Sequence, residues 1–246
     1  MSQGSGMTVK EQLKSMVRST GYEIRRHHPD LVEFLRSRSI NVVLDVGANE
    51  GQFAQEIRSR GYEGRIVSFE PVADTFRHLQ RNCASDNNWD CRRMALGDAA
   101  GAIEINVSKN TAMSSIVSQT DIGRNSIYEA DVVRVETVPI ETLDTIFAEF
   151  AGSRVFVKID TQGFERNVLN GGKQILSSLL GVQLELPLIH LYQGTWGFDE
   201  ALRFMREAGF TLAQMRPVTY YSEDPVSLLE VDCVFRRTDY ATGTSR

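Results

Sequence analysis

Cysteine is scarce in this chain: Cys83, Cys91 and Cys233 are the only three in 246 residues. They are odd in number and lack the C-x-x-C spacing of a zinc or redox centre, so they read as reduced structural thiols of a cytoplasmic protein. Long apolar runs are missing too. No uninterrupted stretch reaches the roughly 20 residues of a membrane span, and the opening MSQGSGMTVK has no apolar signal-peptide core. Positive charge is in short supply, with 27 Lys and Arg against 32 Asp and Glu and a net charge of -5. The longest basic runs are the pairs Arg25-Arg26, Arg92-Arg93 and Arg236-Arg237. That excludes the concentrated basic face with which general nucleic-acid binders displace counterions from phosphates. Internal repeats and low-complexity linkers are also absent.

What is present is a hydrophobic fraction of 41%, enough for a sizeable core in one domain. Residues 1-38 read as an N-terminal helical extension and 39-246 as the domain proper. From Val42 onward, short β-branched runs alternate with amphipathic segments. The expected strands are Val42 to Val46, Arg65 to Phe69, Cys91 to Ala95, Val132 to Val138, Val155 to Ile159, Val182 to Leu186 and Thr211 to Met215, with Leu229 to Arg236 as a final hairpin partner. Helices are expected at Gln52 to Arg60, around Val72 to Cys83, and at Glu141 to Glu149, Phe164 to Leu179 and Phe198 to Ala208. Repeated strand-helix-strand units imply a doubly wound parallel sheet of the α/β class. Ile103 to Val107 reads as a hairpin insertion, and the polar segment Lys109 to Ala130 as a mobile loop or lid.

In such sheets ligands bind beyond the carboxyl ends of the strands. Asp45, Glu70, Asp160 and Glu185 all fall at or next to such ends. The turn after the first strand, DVGANEG, follows D-x-G-x-x-x-G rather than the dinucleotide G-x-G-x-x-G, because Asn49 and Gln52 stand where the phosphate-approach glycines would be. A carboxylate before the turn suits a positively charged ligand without phosphates, namely S-adenosylmethionine, and NAD binding is the weaker alternative. Glu70 is then placed to accept from both ribose hydroxyls and Asp98 from the adenine amino group.

DVGANEG, SFEP, ALGD and VKIDTQGFERNVLNGG resemble the FkbM-type S-adenosylmethionine-dependent methyltransferases over roughly Val42 to Arg236. The resemblance implies the class I methyltransferase fold, a Rossmann-like seven-stranded sheet with an antiparallel last strand. It also implies O-methylation of sugars and of hydroxylated natural products such as macrolides, with S-adenosylhomocysteine as the product. It assigns Asp45, Gly47, Asn49, Gly51, Glu70 and Asp98 to the cofactor. Many relatives carry Glu at the position of Gln162, so the resemblance gives that residue no catalytic role.

Abstracting an acceptor proton needs a base within reach. Strand alternation puts Lys158 and Asp160 on one side of their strand, and Gln183 and Glu185 on one side of theirs, so Asp160, Glu185 and Lys158 are candidates to orient the acceptor or take its proton. The loop LPLIHLYQGTWGF adds His190 as a further general base, and Tyr192 and Trp196 as faces on which a sugar ring could stack. Ser114 and Ser115 in NTAMSSIVSQ are expected to close over the acceptor. The expected partner is a small sugar or glycosylated metabolite rather than nucleic acid or membrane, with a homo-oligomer allowed. A non-catalytic S-adenosylmethionine-binding module is the reading from another class.

Overall fold

The computed structural model describes residues 8–20, 29–126 and 129–238, and its contacts divide into two units, residues 1–30 and 31–246. In the first unit, helix α1 (Val9–Ser19) opens on Thr8 with a reciprocal cap: the Glu11 N–H donates to the Thr8 hydroxyl, and the Thr8 N–H to the Glu11 carboxylate. The second unit begins with α2 (Leu31–Ser37), which buries Val32, Phe34 and Leu35. Phe34 meets Phe156 edge-on, with ring centroids 5.8 Å apart, so α2 packs on the sheet.

The chain then alternates β1 (Val42–Val46), α3 (Gln52–Ser59), β2 (Arg65–Phe69), α4 (Ala73–Cys83) and β3 (Trp89–Arg92). All five residues of β1 are buried, as expected of a strand covered on both faces. Next come β4 (Ala95–Gly97), β5 (Gly101–Ser108), α5 (Asp121–Ser126) and β6 (Val132–Thr142), then α6 (Leu143–Phe147), β7 (Val155–Ile159) and α7 (Glu165–Asn170). The last elements are β8 (Gly181–Pro187), α8 (Phe198–Glu207), β9 (Phe210–Tyr221) and β10 (Asp224–Arg237).

Seven strands form the main sheet in the order β3-β2-β1-β7-β8-β10-β9, with β10 antiparallel to both neighbours and the β3-β2-β1-β7-β8 pairs parallel. This is the doubly wound sheet with an antiparallel final strand that the sequence implies. Its strand order reverses between β1 and β7, which opens a crevice at their carboxyl ends. One face packs Leu44, Val46, Val157 and Ile159 against α6, α7, α8 and the small sheet described next, while the other packs Val43, Ile66 and Phe156 against α2, α3 and α4.

Three expectations change. Residues 132–138 belong to β6, which lies in a separate three-stranded sheet ordered β4-β6-β5. Val132, Val133 and Val135 are exposed there, whereas the central main-sheet strands β1 and β7 are buried along their length. The strand expected over residues 91–95 is two strands, β3 in the main sheet and β4 paired with β6. The long helix expected over residues 164–179 stops at Asn170, where the chain presses on β4: a Cβ on Gly171 would lie 1.9 Å from the Gly97 carbonyl oxygen. The segment 109–130 carries a 3-10 turn (Thr111–Met113), α5 and two isolated bridges, Asn106 to Ser115 and Gln119 to Tyr192.

Candidate functional site

Near the carboxyl ends of the central strands one rung of the sheet is polar: Ser68, Asp45, Lys158 and Gln183 stand side by side on β2, β1, β7 and β8. Asp45 is fully buried, and its Oδ2 accepts from the Ser68 hydroxyl at 2.9 Å. Lys158 Nζ donates to the Gly47 carbonyl at 3.0 Å and lies 3.4 Å from Asp45 Oδ1 and 3.3 Å from Asp160 Oδ2. Burial alone would lower the Lys158 pKa, but the carboxylates of Asp160, Asp45 and Glu185 outweigh it and hold the ammonium above the ordinary lysine value. Lys158 is therefore a fixed cation that ties two strand-end turns together.

The first turn takes its shape from close approach. Gly47 has φ +73°, and a Cβ there would lie 1.8 Å from the Asp160 carbonyl oxygen. Asn49 adopts φ +49° without being glycine, and its N–H donates to Glu70 Oε2 at 3.0 Å while the Val72 N–H donates to Oε1 at 2.8 Å. Burial pushes the Glu70 carboxyl up to about 7 against these two donors. Each of its oxygens keeps a lone pair for a ligand hydroxyl.

The second turn, after β7, is pinned by buried Glu165, whose Oε1 accepts the N–H groups of Thr161 and Gly163 at 3.0 Å each. Between them sits Gln162 at φ +55°. Its Nε2 donates to Asp160 Oδ1 at 2.8 Å and Glu185 Oε1 at 3.2 Å, while its Oε1 accepts from the Tyr192 hydroxyl at 2.7 Å. Its carbonyl accepts from the Ser115 hydroxyl at 2.6 Å.

A cavity of about 400 Å³ lies over these turns. Strand order puts Gly47, Asn49 and Glu70 on its β1-β2 side and Asp160, Gln162, Glu185, Glu230 and Asp232 on its β7-β8-β10 side. Because β10 runs antiparallel, the start of the strand reaches the crevice, and Asp232 stands opposite Glu185. Burial, then Asp160, Glu230 and Asp232, raise Glu185 well above the usual carboxylate range. Burial and Asp160 likewise carry Glu230 to about 7. The Glu185 and Glu230 carboxyls thus each bear on the other's proton affinity. Arg216 of β9 bridges Asp232 at 2.8 Å and Glu56 of α3 at 3.2 Å beside the cavity.

Of the residues singled out from sequence, Gly47, Asn49, Glu70, Ser114, Lys158, Asp160 and Glu185 line this cavity. Asp45 lies beneath the floor, one layer from any ligand. Gly51 lies off the lining with its Cα packed on the Trp89 ring, and Asp98 Oδ2 accepts from Asn167 at 3.4 Å outside the lining. Ser115 and Tyr192 are buried behind Gln162 rather than open to a sugar. Trp196, 3% exposed, fills the core against Phe204, and its faces are taken by packing. His190 is exposed off the cavity, with Nδ1 3.1 Å from the Thr195 hydroxyl. Glu230, Asp232 and Arg216 escaped the sequence reading, although charged residues alternating through LLEVDCVF in an otherwise apolar strand were a usable signal.

The sequence profile of the family described as Methyltransferase FkbM domain matches residues 45–212. The chain is 25% identical over 163 residues to the 2-O-methyltransferase NoeI of Sinorhizobium fredii, covering 62% of this chain and 66% of NoeI. It is 54% identical over 41 residues to the AMB antimetabolite synthetase AmbE of Pseudomonas aeruginosa, 17% of this chain and 2% of AmbE. Among solved structures it is similar to the methyltransferase FkbM from Methylobacillus flagellatus, at 14% identity and a TM-score of 0.45, covering 80% of this chain and 43% of that one. The chain thus spans just under two thirds of NoeI and a smaller part of the other two.

Proposed function

The chain belongs to the FkbM methyltransferase family, and from that premise we propose that it is an S-adenosylmethionine-dependent O-methyltransferase. Its acceptor is a hydroxyl of a sugar or a glycosylated or polyketide metabolite. The observation that carries this reading is the acid balance of the cavity. Glu56, Glu70, Asp160, Glu185, Glu230 and Asp232 line it against Lys158 and Arg216, and Lys158 is consumed by neighbouring oxygens. Such a cavity favours a cationic ligand and disfavours a pyrophosphate. The similarity to NoeI, a 2-O-methyltransferase, supports oxygen as the acceptor atom.

When bound, S-adenosylmethionine supplies a sulfonium methyl group that an acceptor oxygen takes by in-line displacement. The protein's own part is alignment and proton removal. The turn Gly47 to Gly51 and the Glu70 carboxylate hold the cofactor on the β1-β2 side, and an aligned acceptor is worth on the order of 7 kcal/mol or more. Asp160 commits one oxygen to Lys158 and the other to Gln162 and so orients the acceptor. Glu185, facing the cavity with a raised proton affinity, takes the hydroxyl proton, typically about 10² to 10⁴ in rate.

Isothermal titration with S-adenosylhomocysteine is expected to show micromolar or tighter binding, weakened at least tenfold in Glu70→Ala and in Asp45→Ala, the latter through collapse of the floor. Tight NAD binding in its place would sink the proposal. Cofactor binding without methyl transfer to any of a panel of deoxysugar glycosides and polyketides would favour the non-catalytic module.

A further inference from the structure

We infer that Gln162 is a positioning residue whose carboxamide locks the Asp160 and Glu185 carboxylates side by side and so dictates which oxygen of Glu185 faces the acceptor proton. The inference rests on the methyltransferase reading only for what that proton is, not for the geometry. Carboxylates accept and do not donate, so the two acids require the amide nitrogen on their side, and both of its hydrogens are used, one on Asp160 Oδ1 and one on Glu185 Oε1. The amide oxygen is left for the Tyr192 hydroxyl. The orientation of the amide is thus set at the acid end, and the Tyr192 hydroxyl, able to donate or accept, donates to the oxygen that remains.

The backbone adds a second observation. A non-glycine residue at φ +55° is strained and persists where its surroundings over-determine it. Here they do: Ser115 holds the Gln162 carbonyl, and Glu165 holds the N–H groups on either side. Glu165 of α7 and the two buried hydroxyls of Ser115 and Tyr192 converge to aim one carboxamide at two acids. Glutamine also matters as distinct from glutamate. A carboxylate here would remove both donors and add a charge to a cluster that already holds Asp160, Glu185, Glu230 and Asp232.

With Oε1 tied to Gln162, the second Glu185 oxygen is the one the amide leaves free, on a residue that lines the cavity beside Glu230. The charged and titratable groups facing it are Lys158 on β7 and Asp160 just after it, Glu230 and Asp232 on β10, Arg216 on β9 through Asp232, and Tyr192 and Glu165 behind Gln162. Losing a donor to the ionised form raises a carboxyl pKa.

The test is a carbon-13 NMR titration of side-chain carboxyls in glutamate- and aspartate-labelled protein without cofactor or acceptor, with Glu185 assigned by Glu185→Gln. In Gln162→Leu the Glu185 midpoint should rise by about one pH unit, a tenfold change in proton affinity, and in Gln162→Glu by more. Tyr192→Phe should move it the same way by less, and it carries the test if the Gln162 variants fail to fold. S-adenosylhomocysteine affinity should stay within about threefold of the parent in all three variants. A Glu185 midpoint unmoved in folded Gln162→Leu, or in Tyr192→Phe where that variant alone folds, overturns the inference. Midpoint shifts in the variants together with a parent protein that binds no S-adenosylhomocysteine leave the positioning role standing and remove the methyltransferase assignment of the site.

Discussion

Glu70 shows how much one residue's surroundings decide. Sequence position alone suggested an ionised acceptor, but burial raises its pKa from the ordinary glutamate value of 4.5 to about 7. Ligand hydroxyls donate best to the ionised form, so S-adenosylhomocysteine affinity should fall as pH drops below about 7 and level off above it. Glu70→Gln should flatten that dependence in titrations from pH 5.5 to 8.5. The unliganded protein should behave in the opposite sense. A carboxyl whose folded pKa lies above its unfolded value contributes stability that is full below about 4.5 and lost as pH rises through about 7. Urea midpoints of the unliganded protein should therefore fall from pH 5.5 to pH 7.5, less steeply in Glu70→Gln. At this scale the strand-end acids were legible, because Asp45, Glu70, Asp160 and Glu185 sit where strands stop. Their division of labour was not, since whether an acid forms floor or wall depends on which neighbours cover it. Asp45 and Asp160 point to the same side of adjacent strands, yet the first is sealed under Lys158 and the second opens into the cavity.

Among the elements, the strand-to-helix turn at the end of β1 and the small sheet differ in how far the sequence reaches. The turn was readable because a glycine between an apolar strand and a helix signals a tight turn, and close contact supplies the reason: Gly47 abuts the Asp160 carbonyl. Gly47→Ala should lower stability by more than about 2 kcal/mol in urea melts, since it adds both a clash and an alanine at φ +73°. Gly152→Ala is the comparison, also at positive φ, +81°, but with nothing within 4 Å of its added Cβ, and it should cost less. The sheet β4-β6-β5 was not readable. Alternation marks a strand as half-buried without saying which sheet it joins, and β6 could be referred to the main sheet only by its place in the chain order. β10 hid its acids for a related reason. In a parallel sheet the ligand lies past the end of each strand, but an antiparallel strand presents its beginning there.

For the whole molecule, the sequence conveyed the doubly wound core because β-branched runs buried on both faces leave few alternatives. It drew the N-terminal extension through residue 38. Since α2 buries Val32, Phe34 and Leu35, we propose residue 31 as the start of the methyltransferase domain. Two truncations test this. Removal of residues 1–30 should leave a protein with a single cooperative urea transition, whereas removal of residues 1–38 should lower the midpoint sharply or prevent folding, because each large apolar side chain withdrawn from a core costs about 2–5 kcal/mol. Equal midpoints for the two would move the boundary back.

The cavity walls come from separate stretches of one chain: residues 46–96 on the β1-β2 side, residues 105–116 from β5 and the segment after it, and, apart from the β7 turn, residues 183–232 on the side of β8, β9 and β10. That division makes the molecule a two-part tool with a common handle. Segments exchanged between homologues within residues 181–237 should change which acceptor is served while the methyl donor stays the same, so diversification and laboratory recombination can work on one half without rewriting the other.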